Sequence, residues 1–385
     1  MSILFAHIEL TLHRMRTNST MTSTTTASNE ISSTDGGSKP NESQPGSMSA
    51  VMVTEFNGPI VVEHGVSIPD PGTNKLLVKI TASSLCMSDV AGYVGHVGAP
   101  LPYCPGHEPV GVVTAVGTSV RGFRVGDRVG FMPASGTCGD CPECISGNHR
   151  YCSEKVSIGF NGPYGGFSEY CLADPASTAK IPEGLKDEHA APLLCAGVTA
   201  YGALKKASHY QTGGTLINVI GVGGVGHLVV MYAKAMGFRV HAFDIAEDKL
   251  RLGKDCGADE VYNCLDAAAI TEKCAQSPST IVVSGAQAAY DLGINLTRRR
   301  GRVIAIGVPP KPISLDVLGL ILKEKSLITT NQGTKQELIE ALEIADTAGI
   351  APIVELKKGL EEVAQGYQDL STGKVVGRYV YRFAK

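Results

Sequence analysis

The chain has 385 residues, 43% of them hydrophobic, and a net charge of -3, which is length enough for two domains with sizeable cores. No basic block advertises nucleic acid or an anionic membrane, and no apolar run is long enough to predict a membrane span. The early apolar stretch from Ile3 to Leu12 is interrupted by His7 and Glu9, so no secretory signal is expected. The odd set of eleven cysteines therefore reads as metal ligands or core residues of a reducing compartment.

Residues 1–47 form a polar extension, mostly Ser and Thr between Thr17 and Thr34, which cannot bury enough apolar surface to offset its ordering entropy and is expected to be disordered. Arg14, Arg16 and two histidines with one acid in its first sixteen residues fit a mitochondrial presequence; the plainer alternative is a dispensable extension before a domain that starts near Met48. From Val51 to about Val129 short β-rich runs alternate with Gly and Pro: Ile60 to Glu63, Lys75 to Ala82, Gly111 to Val116 and Arg128 to Phe131. These predict an irregular antiparallel, barrel-like domain. After Cys195 strands and helices alternate. Strands are expected at Leu216 to Ile220, Phe238 to Phe243, Glu260 to Tyr262, Thr280 to Ser284, Gly301 to Ile306 and near Ser326 to Thr330. Six strands with helices between them predict a doubly wound parallel sheet. The tail, Gln336 to Lys385, begins with a helix and continues in β-like segments such as Val375 to Phe383, expected to rejoin the first domain.

The first strand of the α/β half runs into Gly221-Val222-Gly223-Gly224-Val225-Gly226, followed by a helical run from Val225 to Met236 and a second strand ending at Asp244. A glycine hexapeptide alone is weak evidence. The strand before it, the helix after it and the acid about twenty residues on make it a Rossmann dinucleotide fingerprint. Gly221 permits the tight turn, Gly223 admits a pyrophosphate, Gly226 lets the helix lie close to the sheet, and free amides at the helix start face the anion. Asp244 is expected to bind the adenosine ribose hydroxyls and to repel a 2′-phosphate, which favours NAD over NADP.

Cys138, Cys141, Cys144 and Cys152 follow one another closely on a loop containing Gly and Pro. Four thiolates at this spacing point to a closed, structural zinc site, with an iron-sulfur cluster as the minor alternative. A dispersed set, Cys86, His107-Glu108 and Cys195, has only bland readings taken singly: a buried cysteine is usually a small hydrophobe.

What joins that set is a resemblance to the zinc-dependent medium-chain alcohol dehydrogenases, over nearly all of Val51 to Lys385. It is carried by Ser84-Leu85-Cys86-Met87-Ser88-Asp89, Pro105-Gly106-His107-Glu108-Pro109-Val110-Gly111, the four-cysteine loop, Leu194-Cys195-Ala196-Gly197-Val198-Thr199-Ala200-Tyr201, the glycine fingerprint and Val376-Gly377-Arg378-Tyr379. The resemblance implies a Rossmann domain over 197–332 and a GroES-like β-rich catalytic domain over 48–196 and 333–385, with the structural zinc loop at 138–152. It implies a catalytic zinc on Cys86, His107 and Cys195 with a fourth position open, so two zinc ions per chain. Glu108 would lie behind the metal, Asp89 would hold the histidine ligand, and Ser88 would pass the alcohol proton outward. Thr199, Lys249, Val308 and Arg378 would contact the cofactor, with Val222, Gly224 and Val225 in the fingerprint turn.

The implied reaction is reversible hydride transfer between a primary or secondary alcohol and NAD, giving an aldehyde or ketone. An NADP-dependent aldehyde or ketone reductase on the same scaffold is the enzymatic alternative. A zinc-ribbon nucleic-acid binder is the other class, and Gly139, Asp140, Pro142 and Glu143 between the ligands supply no basic surface for it. The expected partner is a small alcohol or aldehyde, with no nucleic acid and no membrane. The short interval from Cys152 to Cys195 resembles tetrameric microbial members, so a homotetramer is expected. The chain departs from the family pattern at Ala91, where a relay histidine is usual, at Met87, where a cation usually meets the pyrophosphate, and at Val97 and Pro133, where bulky aromatics are common. Tyr93 keeps one such ring, and the chain has no Trp.

Overall fold

The computed structural model describes residues 46–162, 164–208, 213–274 and 276–383. The expected disorder of the extension thus concerns residues outside the described ones, except at its last two positions. There the first strand, Ser47–Val53, already begins and pairs antiparallel with Ile60–Ser67.

Leu216–Ile220, every residue of it buried, lies at the centre of a six-stranded, wholly parallel sheet. Burial on both faces is why it reads as a continuous apolar run. On one side it pairs with Arg239–Asp244 and then Glu260–Asn263. On the other side come Ser277–Val282, Thr297–Ala305 and Ser326–Thr329. The strand order therefore reverses at Leu216–Ile220, and a crevice opens beyond its carboxyl end, where open α/β sheets bind ligands.

A seven-stranded sheet makes the other half. Its spine is Leu76–Ser84 against Pro109–Val116 and Arg128–Phe131, all antiparallel. From the tail, Arg378–Arg382 adds to this sheet with Val380 opposite Ser84, and Val354–Lys358 pairs parallel beyond it. Ala196–Ala207 and Lys335–Thr347 pack on one another between the two sheets. The second of these helices starts with a capping box, since Thr334 Oγ1 accepts from the Glu337 N–H at 3.2 Å and Glu337 Oε2 accepts from the Thr334 N–H at 2.7 Å. One hydrophobic core runs through both halves, from Ala82, Val110 and Leu194 to Ile217, Leu228 and Leu338. Each fully buried Leu or Ile in it contributes roughly 1.5 to 3 kcal/mol.

Candidate active site and metal centres

Cys86 closes the turn after Leu76–Ser84 and caps the helix Met87–Tyr93. His107 and Glu108 immediately precede Pro109–Val116, and Cys195 sits between the turn Ala191–Leu194 and the helix Ala196–Ala207. The fold brings the four together, with their ligand atoms all within 4.8 Å of one another. Asp89, buried in the capped helix, accepts from three donors: the Cys86 N–H at 2.9 Å, the Gly106 N–H at 3.2 Å and His107 Nδ1 at 2.8 Å. That last contact puts the ring proton on Nδ1 and leaves the Nε2 lone pair free.

Nε2 of His107 and Oε1 of Glu108 are buried without a hydrogen-bond partner, 3.9 Å apart. Orphaned acceptors cost free energy in a closed site, and here they face two thiols. The Cys195 hydrogen bond holds the Cys86 thiol well below its ordinary pKa, as suits a thiolate ligand. Burial disfavours charge on His107, but the Asp89 carboxylate and the Cys86 sulfur together outweigh it and raise the imidazole pKa well above its usual value; a metal ion at Nε2 would take the place of the proton that this environment favours there. The donor set, two sulfurs and a ring nitrogen with a carboxylate in reserve, fits a zinc ion with one open position.

The four-cysteine loop is assembled from the helix Pro142–Ile145 and the turn His149–Tyr151. Its sulfurs also lie within 4.8 Å of one another. Cys138 is 3.9 Å from Cys144 and 3.6 Å from Cys152, sulfur to sulfur. A regular tetrahedron with zinc-sulfur bonds of about 2.3 Å has edges of about 3.8 Å, so the cage fits that ion and has no vacant corner. The Cys138 N–H, foremost among several backbone donors, holds the Cys152 thiol down to about 7.

Between the halves lies a groove of about 330 Å³, within the range of small-ligand sites. Gly221, Gly223, Gly224, Val225 and Asp244 line one wall, and Cys86, Met87 and Arg378 line the other. Gly221 has φ of 94°, a conformation open to glycine. A Cβ on Gly226 would meet the Gly221 carbonyl oxygen at 1.9 Å, so this glycine is required by the closure of the turn itself and not by the sheet. A Cβ on Gly223 would meet nothing within 4 Å, which leaves the cradle free for a ligand. Asp244 accepts from the N–H groups of Val222 at 2.7 Å, Ile245 at 2.8 Å and Ala246 at 3.2 Å.

Other expected cofactor contacts are not brought to this groove. Lys249 donates to the Val375 carbonyl at 2.7 Å, Thr199 is buried one helical turn after Cys195, and Val308 is exposed on a loop outside the lining. Val222 is buried behind the turn. Arg378 does line the groove, yet it is also the counter-ion of Glu108 and donates to Ser84 Oγ at 3.0 and 3.2 Å. Burial pushes the Glu108 carboxyl pKa up, and the guanidinium opposes that. Ser84 and Phe160, whose ring centroid lies 4.9 Å from that of His107, were not among the expected site residues. Ser84 lies two residues before Cys86, but nothing in the sequence ties it to a residue 294 positions away.

Residues 72–183 match the alcohol dehydrogenase GroES-like domain and residues 224–347 the zinc-binding dehydrogenase domain. An alcohol dehydrogenase of Geobacillus stearothermophilus is 37% identical over 340 residues, 87% of this chain and 99% of the relative. One of Rhizobium meliloti is 35% identical over 338 residues, covering 86% and 98%. Among solved structures, the alcohol dehydrogenase of Aeropyrum pernix superposes with a TM-score of 0.80 at 31% identity, covering 87% of this chain and 99% of that one. An acetophenone reductase of Geotrichum candidum, solved with NAD, gives 0.78 at 28% identity, covering 88% and 98%. The chain belongs to the zinc-dependent medium-chain alcohol dehydrogenase family. It is an oxidoreductase acting on alcohols, built as a GroES-like domain and a Rossmann-like parallel sheet.

Proposed function

We propose that the chain interconverts a primary or secondary alcohol with its aldehyde or ketone, using NAD in preference to NADP and holding two zinc ions. Cys86, His107 and Cys195 would hold one ion, and Cys138, Cys141, Cys144 and Cys152 the other. The observation that carries the reading is the pair of orphaned buried acceptors on His107 and Glu108 facing Cys86 and Cys195 beside the glycine-turn groove. When bound, the zinc supplies Lewis acidity that makes an alcohol hydroxyl easier to deprotonate and polarises a carbonyl.

The chain's own residues do the rest. Asp89 fixes the His107 tautomer and ring direction. Ser88 is exposed, with Oγ 3.9 Å from Cys86 Sγ, and would take the hydroxyl proton and hand it to water. Ala91, three positions on, has no group that could extend that path. The glycine turn offers helix-start amides to the pyrophosphate. Asp244, its carboxylate held by three backbone amides at the groove wall, supports the preference for NAD, because an added 2′-phosphate would meet fixed negative charge.

Initial rates with NAD and NADP on a panel of primary, secondary and aromatic alcohols test this. Asp244→Ala is expected to relax the NAD preference; an unmodified enzyme that used NADP better would contradict the reading. No described helix is long and apolar enough to cross a membrane. The free cysteines fit a reducing compartment, the cytoplasm or, if the extension acts as a presequence, the mitochondrion. Val317, Leu318, Ile321 and Leu322 are exposed beside the sheet edge Ser326–Thr329, an apolar surface that supports the expected homotetramer. A monomer in light scattering would refute it.

A further inference from the structure

His227 follows the last fingerprint glycine and is fully buried in the first turn of the helix Gly226–Ala235. Its Nε2 accepts from the Ile353 N–H at 3.4 Å, and its Nδ1 lies 3.0 Å from the Gly223 carbonyl oxygen. A backbone N–H only donates, so Nε2 is the acceptor, and Nδ1 carries the proton that it gives to Gly223. Both ring nitrogens of a neutral imidazole are thereby used. Burial, aided by the charges of Arg378 and Lys249, holds its pKa down to about 4 and keeps it in that form.

Of the two partners, Gly223 lines the groove, and Ile353 lies behind the opposite wall, bonded to the groove-lining Arg378. The Gly223 oxygen also accepts the His227 backbone N–H at 3.1 Å, so both of its lone pairs are taken and the peptide plane that it shares with Gly224 is held. In a trans peptide the N–H points opposite to the carbonyl, which turns the Gly224 amide away from His227 and to the groove that Gly224 lines. On the other side, the Ile353 oxygen accepts from the Arg378 N–H at 2.9 Å. Arg378 lines the groove and pairs with Glu108. Hydrogen bonds, linked covalently through Ile353 and through the Arg378 side chain, thus connect the glycine turn and His227 to the metal-site carboxylate.

We propose that His227 is a positioning residue for the dinucleotide: it aims the Gly224 amide and sets the spacing between the glycine turn and the Arg378 segment. The inference rests on the groove being the dinucleotide site. A histidine that merely filled the core would affect stability and leave cofactor affinity alone, so affinity is the deciding readout.

NADH fluorescence titration of the zinc-loaded full chain, with zinc content and alcohol KM at saturating NAD measured alongside, tests it in His227→Leu, His227→Asn and His227→Gln. His227→Leu removes both bonds and is expected to weaken NADH about tenfold, about 1.4 kcal/mol, with zinc content and alcohol KM unchanged. Asn places an amide nitrogen near the Nδ1 position and keeps the Gly223 bond; Gln reaches the Nε2 position and keeps the Ile353 bond. Each is expected to weaken NADH, by less than Leu. A folded His227→Leu with unaltered NADH affinity overturns the proposal. If that variant does not fold, Asn and Gln variants that both bind NADH as tightly as the unmodified chain overturn it. An unmodified chain that binds neither NADH nor NADPH overturns the dinucleotide reading, and this proposal with it.

Discussion

The two cysteine-containing clusters have similar ligand spacing and opposite construction. In the loop the donors lie close along the chain, Cys138 and Cys152 being 14 positions apart. Two of them are half-buried and two buried, and their hydrogen-bond support comes from backbone amides such as that of Cys138. In the other cluster the donors come from residues 86 to 195, are almost fully buried, and lean on side chains: Asp89 behind His107, and Arg378 and Ser84 behind Glu108. Four sulfurs close the first site. The second keeps a carboxylate that is near the donors but engaged by a guanidinium, so its fourth position is open. A local cage can hold a loop together; only a tertiary one can be tuned by the rest of the fold.

The largest effects should come from removing one sulfur on each side of this comparison. Cys195→Ala is expected to lose one zinc and to lower kcat/KM by roughly three orders of magnitude, since Lewis-acid stabilisation is worth several kcal/mol, while the circular dichroism stays native. Cys141→Ala should lower the thermal midpoint by several degrees, because a structural site contributes folding free energy. If elemental analysis of the unmodified chain finds a single zinc, the two-site distinction collapses.

Asp89→Asn sharpens the point about side-chain support. The carboxylate accepts three hydrogen bonds, and an amide would turn a donor toward one of those donors. Outer partners of this kind are worth about 10- to 100-fold in metal affinity. Chelator competition should show such a loss at the active-site zinc and none at the loop, and equal loss at both would contradict the contrast.

The smallest expected effect lies at Met87, which is exposed and lines the groove opposite Gly223 and Gly224. A cation there would meet the pyrophosphate with a charge-assisted bond of roughly 1.5 to 3 kcal/mol. Met87→Arg should therefore tighten NADH on the order of tenfold and, where cofactor release is slow, lower kcat. Unchanged NADH affinity would mean that position 87 does not reach the cofactor.

Much of the fold was legible because buried strands announce themselves. Leu216–Ile220 and Arg128–Phe131 were expected at the bounds observed. The strand expected from Thr280 begins at Ser277. Its polar start hides it, although Ser277 and Ser279 are buried and donate to the carbonyls of Leu216 and Ala207 at 2.7 and 2.9 Å. The helix Val363–Ser371 carries Gly366, a poor helix residue, kept where a Cβ would collide with the Tyr381 hydroxyl; no local pattern signals it. Val354–Lys358 is short and largely exposed, and no local pattern marks its bounds either.

The site divides the same way. Spacing alone exposed the four-cysteine loop, whereas Cys86, His107 and Cys195 were joined only by family resemblance, since no period links residues brought together by a fold. The engagement of Arg378 by Glu108, the turning of Lys249 to a carbonyl and the strut at His227 are tertiary facts with no local signature.

The pairing of Arg378 with Glu108 also sets an order of birth. The two residues are 270 positions apart, so at translation rates of about 5 to 20 residues per second the carboxylate emerges roughly 15 to 50 s before its counter-ion. During that interval the parallel sheet, whose last strand ends at Thr329, can finish folding, while the catalytic half lacks both its closing strand and the charge that neutralises its deepest acid. Ribosome-stalled chains arrested before residue 378 should show the sheet protected from protease and the residues around Glu108 still open. The cell would thus make the cofactor half first and complete the metal half last.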